Sequence, residues 1–170
     1  MAPDGRARGP DVRLPLAYLA TAAAAFVVAA TAVPWLASEL SGHYYHPRVL
    51  ALTHTVTLGW ITLAIMGASY QLIPIVLKCP LWSERLARWQ LAALVVGIAG
   101  VVAHFFVAEW SGLVWAAGLV ALATAAHVVN VALTLRPLLL YPQLEDRGFN
   151  HDTDEREPGV VRVRIRRRPA

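Results

Sequence analysis

Three of the six histidines in this 170-residue chain stand where histidine is rare. His54, His104 and His127 interrupt long apolar runs, whereas His43 and His46 bracket the stretch "HYYH" and His151 lies in a polar tail. An ionisable side chain in a lipid-spanning run is costly, so each such imidazole faces other helices and is a candidate site. The alternative for each is a neutral ring hydrogen-bonded to a neighbouring helix. His54 and His104 are set apart by depth. His54 lies about six residues in from one end of its run, roughly 9 Å at ~1.5 Å per residue. His104 lies about five residues before the end of the next run, roughly 7.5 Å by the same rise. If the two helices are antiparallel, both imidazoles stand at one level, and two facing neutral imidazoles are what a six-coordinate haem iron binds. Gly97 and Gly100 precede His104 on one helical face. They give either room for a flat porphyrin or a seat for another helix. His127 shares a face with Asn130 near the level of Tyr70 and Gln71, and reads as part of a polar interhelical cluster. The pair His43 and His46, without carboxylate or thiolate company, makes a weak metal site.

The elements that must position these residues are membrane helices. The chain is 57% hydrophobic and only 15% charged, against roughly a quarter charged in soluble domains. Charge-free runs occupy Leu14–Ser38, Val49–Leu77, Trp89–Ala108 and Trp110 up to Arg136. A bilayer core of about 30 Å needs about 20 apolar residues, and each run is that long. Surface helices of a soluble bundle would each show a polar face, and these do not. The expected fold is an all-α membrane protein, an antiparallel four-helix transmembrane bundle with helices over 14–38, 49–77, 87–108 and 110–136. A polar arm, 1–13, and a flexible charged tail, 141–170, flank this 14–140 domain. Abundant small residues, as in "TAAAAFVVAATA" and "GIAGVVA", suit close helix packing.

With both termini and the Lys78–Arg88 loop on one side, Arg48 is the only one of the 15 Lys and Arg on the other. That bias assigns both termini to the cytoplasm and the protein to the cell membrane as a multi-pass protein. Trp35, Tyr44, Tyr45, Trp110 and Trp115 then gather near the outer face, and Trp82, Trp89 and Tyr141 near the inner one, as interfacial aromatics do. The first run is longer than a signal-peptide core and reads as a retained anchor. Cys79, the single cysteine, forms no intrachain disulfide, and the absence of C-x-x-C-H excludes covalent haem attachment. The lipid bilayer is a partner; nucleic acid is not, because no folded basic surface with interleaved aromatics is visible.

The stretch "HPRVLALTHTVTLGWITLAIMGASYQLIP" resembles the second transmembrane helix of subunit I in the haem–copper oxidase superfamily, of the nitric oxide reductase and cytochrome c oxidase types. The matching features are a histidine early in the helix, then Gly59 and Trp60, then "MGASYQLIP". The resemblance is strong over about thirty residues and implies that His54 is an axial ligand of a low-spin haem. The family's copper ligands and the ligand of its oxygen-reducing haem belong to later helices and have no counterpart here. Oxygen or nitric oxide reduction by this chain alone is therefore not expected. The expected function is haem binding and electron transfer in a respiratory setting, with an unidentified redox partner. The haem is non-covalent, b-type ahead of a-type. Its iron takes His54 and His104 of one chain, or His54 from each of two chains in a homodimer. The competing expectation is a cofactor-free subunit or assembly factor of a larger respiratory complex.

Overall fold

A computed structural model describes residues 12–140 of the chain. The N-terminal arm and the tail from Tyr141 lie outside them. The described residues are helical: α1, Arg13–Trp35; α2, Ala37–Leu40; α3, Pro47–His54; a π-helical segment, Thr55–Thr62; α4, Leu63–Val76; α5, Glu84–Val107; and α6, Leu113–Leu140. Four helices are long and apolar enough to cross a membrane: Arg13–Trp35, the continuous Pro47–Val76, Glu84–Val107 and Leu113–Arg136. The protein is an all-α, multi-pass membrane protein built as a four-helix bundle. One end of the bundle carries the 36–46 and 108–112 connections and is called the His54 end. The other carries the 77–83 connection and is called the Asn130 end.

The ends of the helices follow from local chemistry. Pro34, which has no N–H to donate, stands in the last turn of α1, and the chain breaks at Leu36 into the short α2. The first span is thus shorter than the 14–38 run. His46 is extended and Pro47 opens α3 at a position where its missing N–H has no helical partner to lose. Ser83 caps α5, its hydroxyl accepting the Leu86 N–H at 3.2 Å, with Glu84 at the positive end of the helix. Helix α5 stops where Ala108 turns left-handed (φ 57°), and Lys78 does the same just after α4 (φ 50°).

Close approach between helices is made at glycines. A β-carbon on Gly67 would lie 2.7 Å from Tyr18 Cβ, and one on Gly59 would lie 2.9 Å from Ala25 Cβ, so α1 rests directly on the backbone of the second span. A β-carbon on Gly97 would lie 2.8 Å from Val120 Cγ2, and one on Gly100 would lie 2.9 Å from Ala116 Cβ. The two glycines before His104 are therefore a seat for α6. Without a hydrophobic force between helices in lipid, such backbone proximity is a main source of cohesion. Tyr18, Leu63 and Leu94 are fully buried where the spans meet. Aromatic residues stand exposed at both ends: Trp35, Tyr44, Tyr45, Trp110 and Trp115 at the His54 end, Trp82 and Trp89 at the other. This two-belt pattern matches the bilayer interfaces.

Candidate functional site

His54 closes α3 and begins the π-helical segment. Its Nδ1 lies 2.7 Å from the carbonyl oxygen of Leu50, one turn back. A carbonyl only accepts, so Nδ1 carries the proton and Nε2 of the neutral ring holds the lone pair. The ring stacks on Phe105 of α5, with centroids 4.6 Å apart and planes 24° from parallel. Stacking covers a face of the imidazole and leaves its in-plane lone pair free. Two constraints thus fix tautomer and orientation, as a supporting shell does for a metal-binding histidine. Nε2 makes no hydrogen bond among the described residues, and it is not among the enclosed, unpartnered polar atoms. The residue itself is half-buried.

The π-helical turns that follow have a visible local cause. The Thr62 hydroxyl donates to the Thr57 carbonyl, five residues back, at 2.8 Å. Thr53, Thr55 and Thr57 each donate to the carbonyl four residues back at 2.9 Å. These bonds satisfy the hydroxyls inside an apolar span. Widened helical turns of this kind gather at functional sites in proteins.

His104 begins the same way and ends differently. Its Nδ1 lies 2.7 Å from the Gly100 carbonyl, so its Nε2 also holds the lone pair. Beyond α5 the chain folds back, the Glu109 N–H donating to the His104 carbonyl at 3.0 Å, and Gly112 arrives over the ring. A β-carbon on Gly112 would lie 2.1 Å from Nε2, 2.8 Å from Cε1 and 3.2 Å from Cδ2. That point is on the Nε2 side of the ring, off the lone-pair axis and nearer Cε1 than Cδ2. A metal–imidazole bond is about 2.0–2.1 Å long, so an iron on His104 would be crowded by the Gly112 backbone in this conformation. Meanwhile Phe105, the next residue, fills the space beside His54. Depth suggests a facing pair; in this conformation Phe105 stacks on His54, and Gly112 packs against the Nε2 side of His104.

At the other end, His127 belongs to a polar node that ties the spans together. The Ser69 hydroxyl donates to the Met66 carbonyl at 2.8 Å, so it accepts from His127 Nε2, 3.3 Å away. This leaves His127 Nδ1 enclosed without a partner. The Tyr70 hydroxyl donates to Gln90 Oε1, Gln90 Nε2 points at the Met66 sulfur at 3.3 Å, and Tyr18 donates to the Ala87 carbonyl at 2.8 Å. Asn130, fully buried, accepts the Ser83 N–H at 3.1 Å and donates to the Ser83 carbonyl at 3.0 Å and to the Tyr70 hydroxyl at 3.4 Å. Thr134 accepts the Trp82 N–H at 3.0 Å. The polar cluster expected around His127 and Asn130 is present, with one exchange: Gln71 is exposed and Gln90 of α5 takes its place.

His43 and His46, in the connection before α3, have different surroundings. His43 packs edge-on against Tyr44 and Tyr45, whereas His46 begins α3 with its Nδ1 enclosed and unpartnered. Among the described residues no group of three or more His, Cys, Asp or Glu side chains is placed to hold a metal ion. Nearby, Glu39 joins Arg48 at 2.9 Å, and Arg48 lies 5.5 Å from the centre of the Phe106 ring, linking α2, α3 and α5. Comparison of the chain with protein-family models, with curated proteins and with solved structures gives no match in any of the three.

Proposed function

We propose that this multi-pass membrane protein binds haem through His54 and serves in electron transfer. The observation that carries this reading is the state of the His54 ring: Nδ1–H held by the Leu50 carbonyl, a face held by Phe105, and Nε2 without a hydrogen bond among the described residues. A neutral histidine with an oriented, unused lone pair is the form that ligates iron. The resemblance of the Ala51–Pro74 stretch to the low-spin-haem helix of oxidase subunit I supports the same residue. Haem, when bound, supplies a one-electron couple. The chain supplies the ligand, its orientation, and an apolar setting that disfavours water and charge. The spread of basic residues supports a cell-membrane location with both termini cytoplasmic, which puts the His54 end outside.

The test is a reduced-minus-oxidised absorption spectrum of the purified protein after expression with ample haem. The expected result is a haem signal in the wild type that is lost in His54→Ala. A colourless wild type would sink the proposal.

A second reading is favoured by the packing beside His104. Gly97 and Gly100 are occupied by Val120 and Ala116, and Gly112 caps His104. On this reading the chain is a cofactor-free subunit or assembly factor, and it co-purifies colourless with a larger respiratory complex.

A further inference from the structure

Resting on the haem reading above, we propose that the iron is shared between two copies of this chain, each contributing His54 as one axial ligand. A chain of this kind has three membrane-embedded imidazoles, and two of them have a close neighbour at Nε2. His104 has Gly112 against the Nε2 side of its ring, the nitrogen 2.1 Å from where a β-carbon would stand. His127 lies at the Asn130 end with Nε2 on Ser69 and Nδ1 enclosed. Gly112 crowds the Nε2 side of His104 and Ser69 engages His127, so a single chain gives His54 as one axial ligand and an incomplete site.

A second copy completes it without a new residue type. In a two-fold interface the same residue approaches the axis from both sides, so the two His54 side chains would together hold one haem between the copies. The surface beside His54 admits such an approach. Thr53 and Thr57 are exposed there, short, and satisfied by their own helix through bonds to Val49 and Thr53 carbonyls. No unpaired donor is therefore buried when a second helix or a porphyrin edge covers them. Phe105 continues to brace each ring from within its own chain.

The experiment uses the full chain, purified in detergent and reconstituted in lipid nanodiscs. It reads haem per chain, iron spin and coordination state, and particle mass. The expected result is about one haem per two chains, low-spin six-coordinate iron with a bis-imidazole signature, and a dimeric mass. His104→Ala leaves all three unchanged. His54→Gly loses haem and recovers it with free imidazole, which separates ligand loss from misfolding. One haem per chain with six-coordinate iron overturns the sharing, as does five-coordinate high-spin iron. Loss of the bis-imidazole signature in His104→Ala overturns it too, and returns the second ligand to the same chain. Haem retained only alongside a different protein overturns it in favour of that partner. A colourless wild type ends the haem reading itself, a result distinct from each of these.

Discussion

Gly112 lies against the Nε2 side of the His104 imidazole, near enough that a β-carbon would lie 2.1 Å from the nitrogen. The ring is also tethered to the Gly100 carbonyl, so it cannot turn aside without giving up that bond. Gly112→Ala should therefore destabilise the bundle by about 1–3 kcal/mol, the range for overpacking. Gly118 on α6 has nothing within 4 Å of its would-be β-carbon, and Gly118→Ala should be neutral or stabilising by up to about 1 kcal/mol. Denaturant unfolding in mixed micelles measures both. Combining Gly112→Ala with His104→Ala should remove most of the first penalty, because the clash needs both partners.

Asn130 acts on the Ser83 peptide as a second strand would, accepting from its N–H and donating to its carbonyl. Asn130→Ala leaves both groups without that partner at the edge of an apolar core. The expected loss is about 2 kcal/mol or more, since each orphaned polar group costs about 1–3 kcal/mol. Amide hydrogen exchange should accelerate at Trp82 and Ser83 while the middle of α5 stays protected. Unchanged exchange at those two amides would show that the connection is held by something else.

The four spans were legible because the bilayer imposes a length and the apolar runs state it: Val49–Leu77 in the sequence and Pro47–Val76 in the structure differ by a residue or two at each end. The first span ended early for a reason also in the sequence, Pro34, whose effect on the turn beyond it hydropathy does not register. Depth along two antiparallel helices put His54 and His104 at one end correctly, but depth says nothing about rotation. A step of one residue turns a helix by about 100°, enough to place Phe105 on His54 and to send His104 to the turn. The partner that caps His104 comes from beyond a left-handed Ala108, and no periodic pattern announces such a reversal. Likewise Gln90 and Gln71 are equally polar on paper, and only the packing of α5 on α4 decides which one is enclosed.

Ala108 holds a left-handed conformation (φ 57°) that an L-residue with a β-carbon pays for by roughly 1–2 kcal/mol. The turn it makes brings the Glu109 N–H to the His104 carbonyl and Gly112 to the His104 ring. Ala108→Gly should relieve the strain and stabilise the protein by about 0.5–1 kcal/mol, net of the greater freedom of glycine in the unfolded chain. Ala108→Val should do the opposite. The same unfolding midpoints read both, and a destabilising Ala108→Gly would mean that the turn is not left-handed in the bilayer.

Glu39 is held near a pKa of about 2, below its ordinary value of 4.5, first by the Ser38 hydroxyl and then by the Arg48 guanidinium. A carboxyl that is more acidic folded than unfolded binds fewer protons in the folded state, so it adds stability above its unfolded pKa. That contribution is complete above pH ~4.5 and falls away as the pH drops towards 2. Arg48 is exposed and Glu39 half-buried, and their attraction should weaken with salt. Carboxyl chemical shifts of labelled Glu39 should titrate near 2 in the wild type. In Arg48→Gln the midpoint should rise only part of the way to 4.5, because Ser38 still donates its hydroxyl at 2.7 Å. In Ser38→Ala it should rise further than in Arg48→Gln, following the order of the two causes. A midpoint indifferent to both substitutions would break the link between α2 and α3 that the 2.9 Å Arg48–Glu39 pair describes.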